Sequence, residues 1–175
     1  NSNESLQVFC AKAAKHNYIT VDTEFLRERT YFSKLCIIQI AFRGDGVSDC
    51  AVIDVQSKNI NLKPIYQLFE NKNILKVFHA ARQDLEIFFL EKNIFPKPFF
   101  DTQVAAMVCG FGDQVGYETL VKKLALVTID KTSRFTNWSQ RPLSDRQVNY
   151  AINDVTHLRT VYEELKRMLS QNERS

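Results

Sequence analysis

Tyr18-Ile19-Thr20-Val21-Asp22-Thr23-Glu24-Phe25 is the stretch on which the fold turns. Apolar and polar residues alternate along it, which is the period of a half-buried strand. Ile19, Val21 and Phe25 take one face; Thr20, Asp22 and Glu24 take the other. Two acids therefore project from one side of the strand, near its end. Working outward, residues 35–42 are rich in Ile and read as a second strand. Arg43-Gly44-Asp45-Gly46 supplies turn chemistry, and residues 51–55 read as a third strand. Strands two and three are thus expected to form an antiparallel hairpin.

Upstream, residues 4–16 have the pattern of a short helix. Downstream, helix and strand alternate: helix 62–70, strand 75–79, helix 81–92, a break at Pro96 and Pro98, helix 101–110 and helix 117–126. Asp101 and Gly110 are suited to the start and the stop of their helix. Ser144-Asp145-Arg146-Gln147 matches a capping box. Behind it, Val148, Ala151, Val155, Leu158, Tyr162, Leu165 and Leu169 recur at steps of three and four, so a long amphipathic helix closes the chain. Three strands followed by alternating helices and strands predict an α/β fold, a mixed central β-sheet flanked by α-helices. No repeat, low-complexity tract or linker interrupts residues 1–175, which read as one domain.

The chain has 175 residues, 45% hydrophobic and 25% charged, enough for a proper core. No apolar run approaches the roughly 20 residues of a membrane span. A net charge of +3 says little about partners unless the Lys and Arg are gathered in one place. Cys10, Cys36, Cys50 and Cys109 form no C-x-x-C pair, which argues against a zinc knuckle. They read as buried free thiols of a reducing compartment, the cytoplasm.

The chemistry gathers around five residues. Asp22 and Glu24 share a strand face; Tyr150 and Asp154, four apart, share a helix face. Asp84 falls on or beside the apolar stripe Ala81, Leu85, Phe88, Phe89, where an unpaired carboxylate is costly to bury. Each has a bland explanation: a wet strand face, a first-turn acid favoured by the helix dipole, a surface Asp beside a half-buried Tyr. Together they make a set of acids that would repel one another without cations among them. Magnesium and manganese prefer such hard oxygen ligands. Two divalent ions so held could clamp the attacking and leaving oxygens of a phosphodiester. Tyr150 could orient the attacking water or accept its proton, although its ordinary pKa near 10 is high for a base.

Three segments carry a resemblance. They are Val21-Asp22-Thr23-Glu24-Phe25, then Phe78-His79-Ala80-Ala81-Arg82-Gln83-Asp84-Leu85, then Tyr150-Ala151-Ile152-Asn153-Asp154-Val155. They resemble the exonuclease motifs of ribonuclease D, of the tyrosine branch of the four-acid exonucleases. Leu35-Cys36-Ile37-Ile38-Gln39-Ile40, Phe100-Asp101-Thr102-Gln103 and Trp138-Ser139-Gln140-Arg141-Pro142-Leu143 are similar to its intervening segments. The resemblance implies a ribonuclease H-like fold and metal-dependent hydrolysis of RNA from the 3′ end to 5′ mononucleotides. It also implies processing of stable RNA such as transfer RNA precursors. Asp22, Glu24, Asp84 and Asp154 would then hold two Mg2+ or Mn2+ ions, with Tyr150 handling the water. The helical RNA-binding domains usual in that family are not expected within these 175 residues.

Substrate contacts are expected from Thr23 and Phe25 beside the acids, from His79 at a strand end, which could instead satisfy a buried hydrogen bond, and from the long loop 127–143. That loop carries Lys131, Arg134, Phe135, Trp138 and Arg141, the mixture of cations and rings that suits single strands. Packing of Trp138 and burial of Phe25 are equally good readings. A DNA exonuclease, or a module that binds RNA without cutting it, remain the alternatives to an exoribonuclease.

Overall fold

The computed structural model of the chain describes residues 2–26, 32–44, 47–130, 132 and 136–172. Asp45 and Gly46 of the expected turn, and Lys131, Arg134 and Phe135 of the long loop, lie outside the described residues. Strands β1 (Tyr18–Leu26), β2 (Lys34–Phe42), β3 (Cys50–Asp54), β4 (Leu75–Phe78) and β5 (Phe99–Asp101) form one sheet in the order β3-β2-β1-β4-β5. The hairpin strands β1, β2 and β3 run antiparallel, whereas β4 lies parallel to β1 and β5 parallel to β4. The expected mixed sheet is present. β5 is an addition that the sequence pattern does not announce. Its three residues are too few to alternate, and a parallel partner is a long-range contact.

The alternation of β1 sends its two faces to different helices. Ile19 and Val21, with Ile38 and Ile40 of β2, pack against α1 (Asn3–Ala13), α2 (Lys63–Glu70) and α3 (Arg82–Lys92) through Leu6, Phe9, Ile65, Phe69, Leu85 and Phe88. The opposite face lies under α6 (Asp145–Asn172), whose Val155 carbonyl accepts a 2.7 Å bond from the Thr20 hydroxyl. Farther along, Val161 and Leu165 of α6 pack on α4 (Thr102–Val108) and α5 (Tyr117–Leu120).

The predicted caps form. The Ser144 N–H donates to Gln147 Oε1 at 3.0 Å and the Gln147 N–H donates back to Ser144 Oγ at 3.3 Å. Asp101 accepts from the Gln103 N–H at 2.8 Å, and Gly110 follows α4 with φ 83°. The first helix is shorter than expected, ending at Ala13. The expected helix 117–126 is α-helical only to Leu120 and continues as a wide π turn, Val121–Ala125. A bulge interrupts β1–β2: Glu24 faces Ile37, but Phe25 faces Leu35, leaving Cys36 as the extra residue. Bulges re-aim neighbouring side chains, and this one adjoins the acids. Lys76, fully buried on β4, donates to the carbonyls of Asn71, Ile74 and Lys97 at 2.7–2.8 Å, tying β4 to the lead-in of β5.

Candidate active site

The site forms where the two faces of β1 meet at its end. Asp22 and Glu24 point to the α6 side, and one carboxylate oxygen from each lies within 4.8 Å of one from Asp154 on α6. Thr23 points the other way, toward α3, and its hydroxyl donates to Asp84 Oδ1 at 2.5 Å. Asp84 thus reaches the site from the opposite layer. It stands outside the three-acid cluster but close enough for the charge of Asp22 to act on it. Tyr150 sits one helical turn before Asp154, close enough for that carboxylate's charge to act on its hydroxyl.

The electrostatics are those of crowded acids. Burial raises Asp22 well above the ordinary carboxylate range, the charge of Asp154 adds to the rise, and the Thr23 backbone N–H opposes it. Burial likewise raises Asp84, with the charge of Asp22 next, against the Thr23 hydroxyl bond. Burial raises Tyr150 too, followed by the charges of Asp154, Glu24 and Asp22. Its hydroxyl therefore keeps its proton.

These residues line a cavity of about 670 Å³ with Thr23, Phe25, His79, Gln83, Gln103, Tyr117, Glu118 and Trp138. No Lys or Arg occurs among the described residues that line it. Carboxylates converging from β1, α3 and α6 and raising one another's pKa values fit a hard divalent cation.

The expected substrate contacts divide. Phe25 lines the cavity while its ring also packs on the core. The other four are engaged by neighbouring groups of the protein. The Thr23 hydroxyl donates to Asp84 and so orients an acid. The His79 ring lines the cavity, and its Nδ1 bonds Thr102 Oγ1 at 3.0 Å. Arg141 grips Asp54 through Nε and Nη2, both at 2.6 Å, and its remaining N–H groups reach the carbonyls of Trp138, Gln140 and Cys36. All its donors serve to pin the loop to β2 and β3. Trp138, 2% exposed, packs with Cys36, Ile37 and Ala151 and stands 6.0 Å from the Tyr150 ring, so packing prevails over stacking on a base.

Tyr117 is a lining residue that sequence reasoning passed over. Its hydroxyl donates to the Asp154 carbonyl, and its ring lies 5.5 Å from that of His79. The only local signal was its place at the start of a helix.

Comparison with known proteins gives this arrangement its class. The chain belongs to the 3′–5′ exonuclease family, whose model matches residues 1–170. Within it, the kinship is to proteins named Ribonuclease D. That of Jannaschia sp. (strain CCS1) is 58% identical over 174 residues, 99% of this chain and 45% of the relative. That of Acidiphilium cryptum (strain JF-5) is 53% identical over 173 residues, 99% of this chain and 43% of the relative. The chain thus spans less than half the length of these curated relatives. The crystal structure of Escherichia coli RNase D, described as an exoribonuclease involved in structured RNA processing, superposes with a TM-score of 0.89 at 33% identity, covering 97% of this chain and 44% of that one. Brucella melitensis NrnC bound to pGG superposes at 0.77 with 27% identity, covering 93% of this chain and 78% of that one. The ribonuclease H-like fold of these exonucleases is the fold of this chain.

Proposed function

We propose that residues 1–175 are one exonuclease domain that removes nucleotides from the 3′ end of RNA, releasing 5′ mononucleotides. The observation that carries this is the convergence of Asp22, Glu24 and Asp154, with Asp84 beside Asp22, in a cavity on a chain so close to ribonuclease D. Asp22, Glu24, Asp84 and Asp154 would hold two divalent ions, Mg2+ or Mn2+. Bound there, the ions supply Lewis-acid charge for the nucleophile and for the leaving 3′ oxygen.

The chain's own groups do the rest. Tyr150, lining the cavity with the acids, orients the attacking water through its hydroxyl. Thr23 fixes Asp84. Phe25 and the His79 face present apolar surface to the terminal base. Kinship with RNase D, together with the pGG complex of NrnC, supports RNA 3′ ends as substrates; transfer RNA precursors, met in the cytoplasm, are the substrates proposed. Among the described residues no helix is long and apolar enough to cross a membrane.

The test is a time course on 5′-labelled single-stranded RNA with Mg2+ or Mn2+, beside EDTA, an Asp22→Ala control and a matched DNA strand. A ladder shortening from the 3′ end of RNA, absent in both controls, is expected. Intact RNA under every metal would sink the reading, and faster loss of the DNA would move it to a DNA exonuclease.

A further inference from the structure

β4 turns into α3 within three residues, His79-Ala80-Ala81, and Asp84 follows in the first turn of the helix. The turn is strained: Ala80 stands at φ 55°, a left-handed conformation that costs a non-glycine residue roughly 1–2 kcal/mol. Ala81 follows in the right-handed region, at φ −55°, and as the N-cap it has no side chain to accept the free N–H groups of the helix. A left-handed residue beside a right-handed one turns successive N–H groups inward, a concavity that binds anions. In this chain a carboxylate from another element fills it. Asp101, at the end of β5, accepts from the Ala80 N–H through Oδ1 and from the Ala81 N–H through Oδ2, both at 2.9 Å. Oδ1 also takes the Gln103 N–H at 2.8 Å. The next residue completes the clasp: Thr102 Oγ1 donates to the Phe78 carbonyl at 3.0 Å and meets His79 Nδ1.

We propose that Asp101 is a positioning residue for the site, its carboxylate clamping the Ala80–Ala81 turn and so fixing where α3 presents Asp84. This rests on the exonuclease reading, in which Asp84 is a metal ligand. Asp84 is held at one end by Thr23 on β1 and at the other by the start of α3, so Asp101 sets the second coordinate. Misplacing a reacting group by about 1 Å can cost on the order of 10²-fold in rate. The role needs a carboxylate. An amide of the same shape keeps one acceptor but turns an NH2 donor toward the Ala81 N–H.

The test compares wild type, Asp101→Asn and the double variant Asp101→Asn with Ala80→Gly, since glycine adopts φ 55° without steric cost. Three quantities are read: amide exchange of residues 79–85 in metal-free protein, Mn2+ affinity by calorimetry, and kcat with KM on a short RNA. Asp101→Asn should stay folded, exchange faster in that segment, bind Mn2+ about tenfold more weakly and lose kcat with KM within about twofold. The glycine should restore part of both losses, and amide exchange of α1 and α2, remote from the turn, should stay at wild-type values in both variants, which a loss of global stability alone would not allow. Exchange and Mn2+ affinity both at wild-type values would overturn the proposal. If wild type itself neither binds Mn2+ nor cuts RNA, the exonuclease reading fails. The exchange data alone then decide the clamp: faster exchange upholds it and unchanged exchange rejects it.

Discussion

Asp54 and Asp22 stand on the same face of the sheet, on strands separated only by β2, and their carboxylates are treated in opposite ways. Asp54 meets the Arg141 fork at 2.6 Å through both oxygens, and that bond, ahead of all else, holds its pKa below the ordinary range. Asp22 meets Asp154 and stands near Asp84, and burial plus those charges push it up. A carboxylate that serves structure is neutralised by the protein. The carboxylates of the site are instead gathered against one another, and burial with that crowding raises Asp22 and Asp84 where the arginine lowers Asp54.

The largest effect expected from breaking this contrast is at Asp22. Asp22→Asn should lower RNA cleavage by roughly 10³-fold or more yet raise the melting temperature of the metal-free protein by roughly 2–4 °C. Mn2+ should stabilise wild type and leave the variant where it was. Calorimetric scans with and without metal check both, and a variant that melts lower in the absence of metal would contradict the crowding argument. Tyr150→Phe comes next. Its ring still packs on Trp138, so stability should hold while kcat falls by about 10–10²-fold. Single-turnover rates would show whether the hydroxyl matters at all.

Arg141→Ala sharpens the other side of the contrast. It leaves Asp54 partly buried without its partner and releases the loop that carries Trp138, at about 1–3 kcal/mol. Urea titration should find that loss at neutral pH. The carboxyl of Asp54 is depressed in the fold, so its contribution is present above the unfolded pKa of about 3.9 and lost as pH falls through the lower folded value. The gap between variant and wild type should therefore close in acid. The smallest effect runs with opposite sign. Asp22 and Asp84 are raised in the fold, so the folded state holds more protons above the unfolded pKa. Metal-free protein should lose stability as pH rises from the unfolded value of about 3.9 through the raised folded values, and bound Mn2+ should remove that slope. Melting curves across pH, with and without Mn2+, check it.

Much of this was legible in the chain. The alternation of 18–25 fixed which acids share a face, and the capping box at Ser144 fixed the frame of α6, hence the shared side of Tyr150 and Asp154. Both are local periodicities, and local periodicity survives in sequence. The substrate contacts were not legible. A basic residue beside a tryptophan looks the same in sequence whether it meets RNA or, like Arg141, spends every donor on the protein. The partner Asp54 lies 87 positions away.

The sequence by itself determined the acids, the tyrosine, their order and the elements that bear them, because side-chain direction follows from backbone period. Only the tertiary structure decided that Thr23 reaches across to Asp84, that a bulge at Cys36 adjoins Glu24, and that Asp101 of β5 grips the turn before α3. Those are contacts between layers, set by how sheet and helices pack, and no residue carries in its neighbours the identity of what will be packed against it.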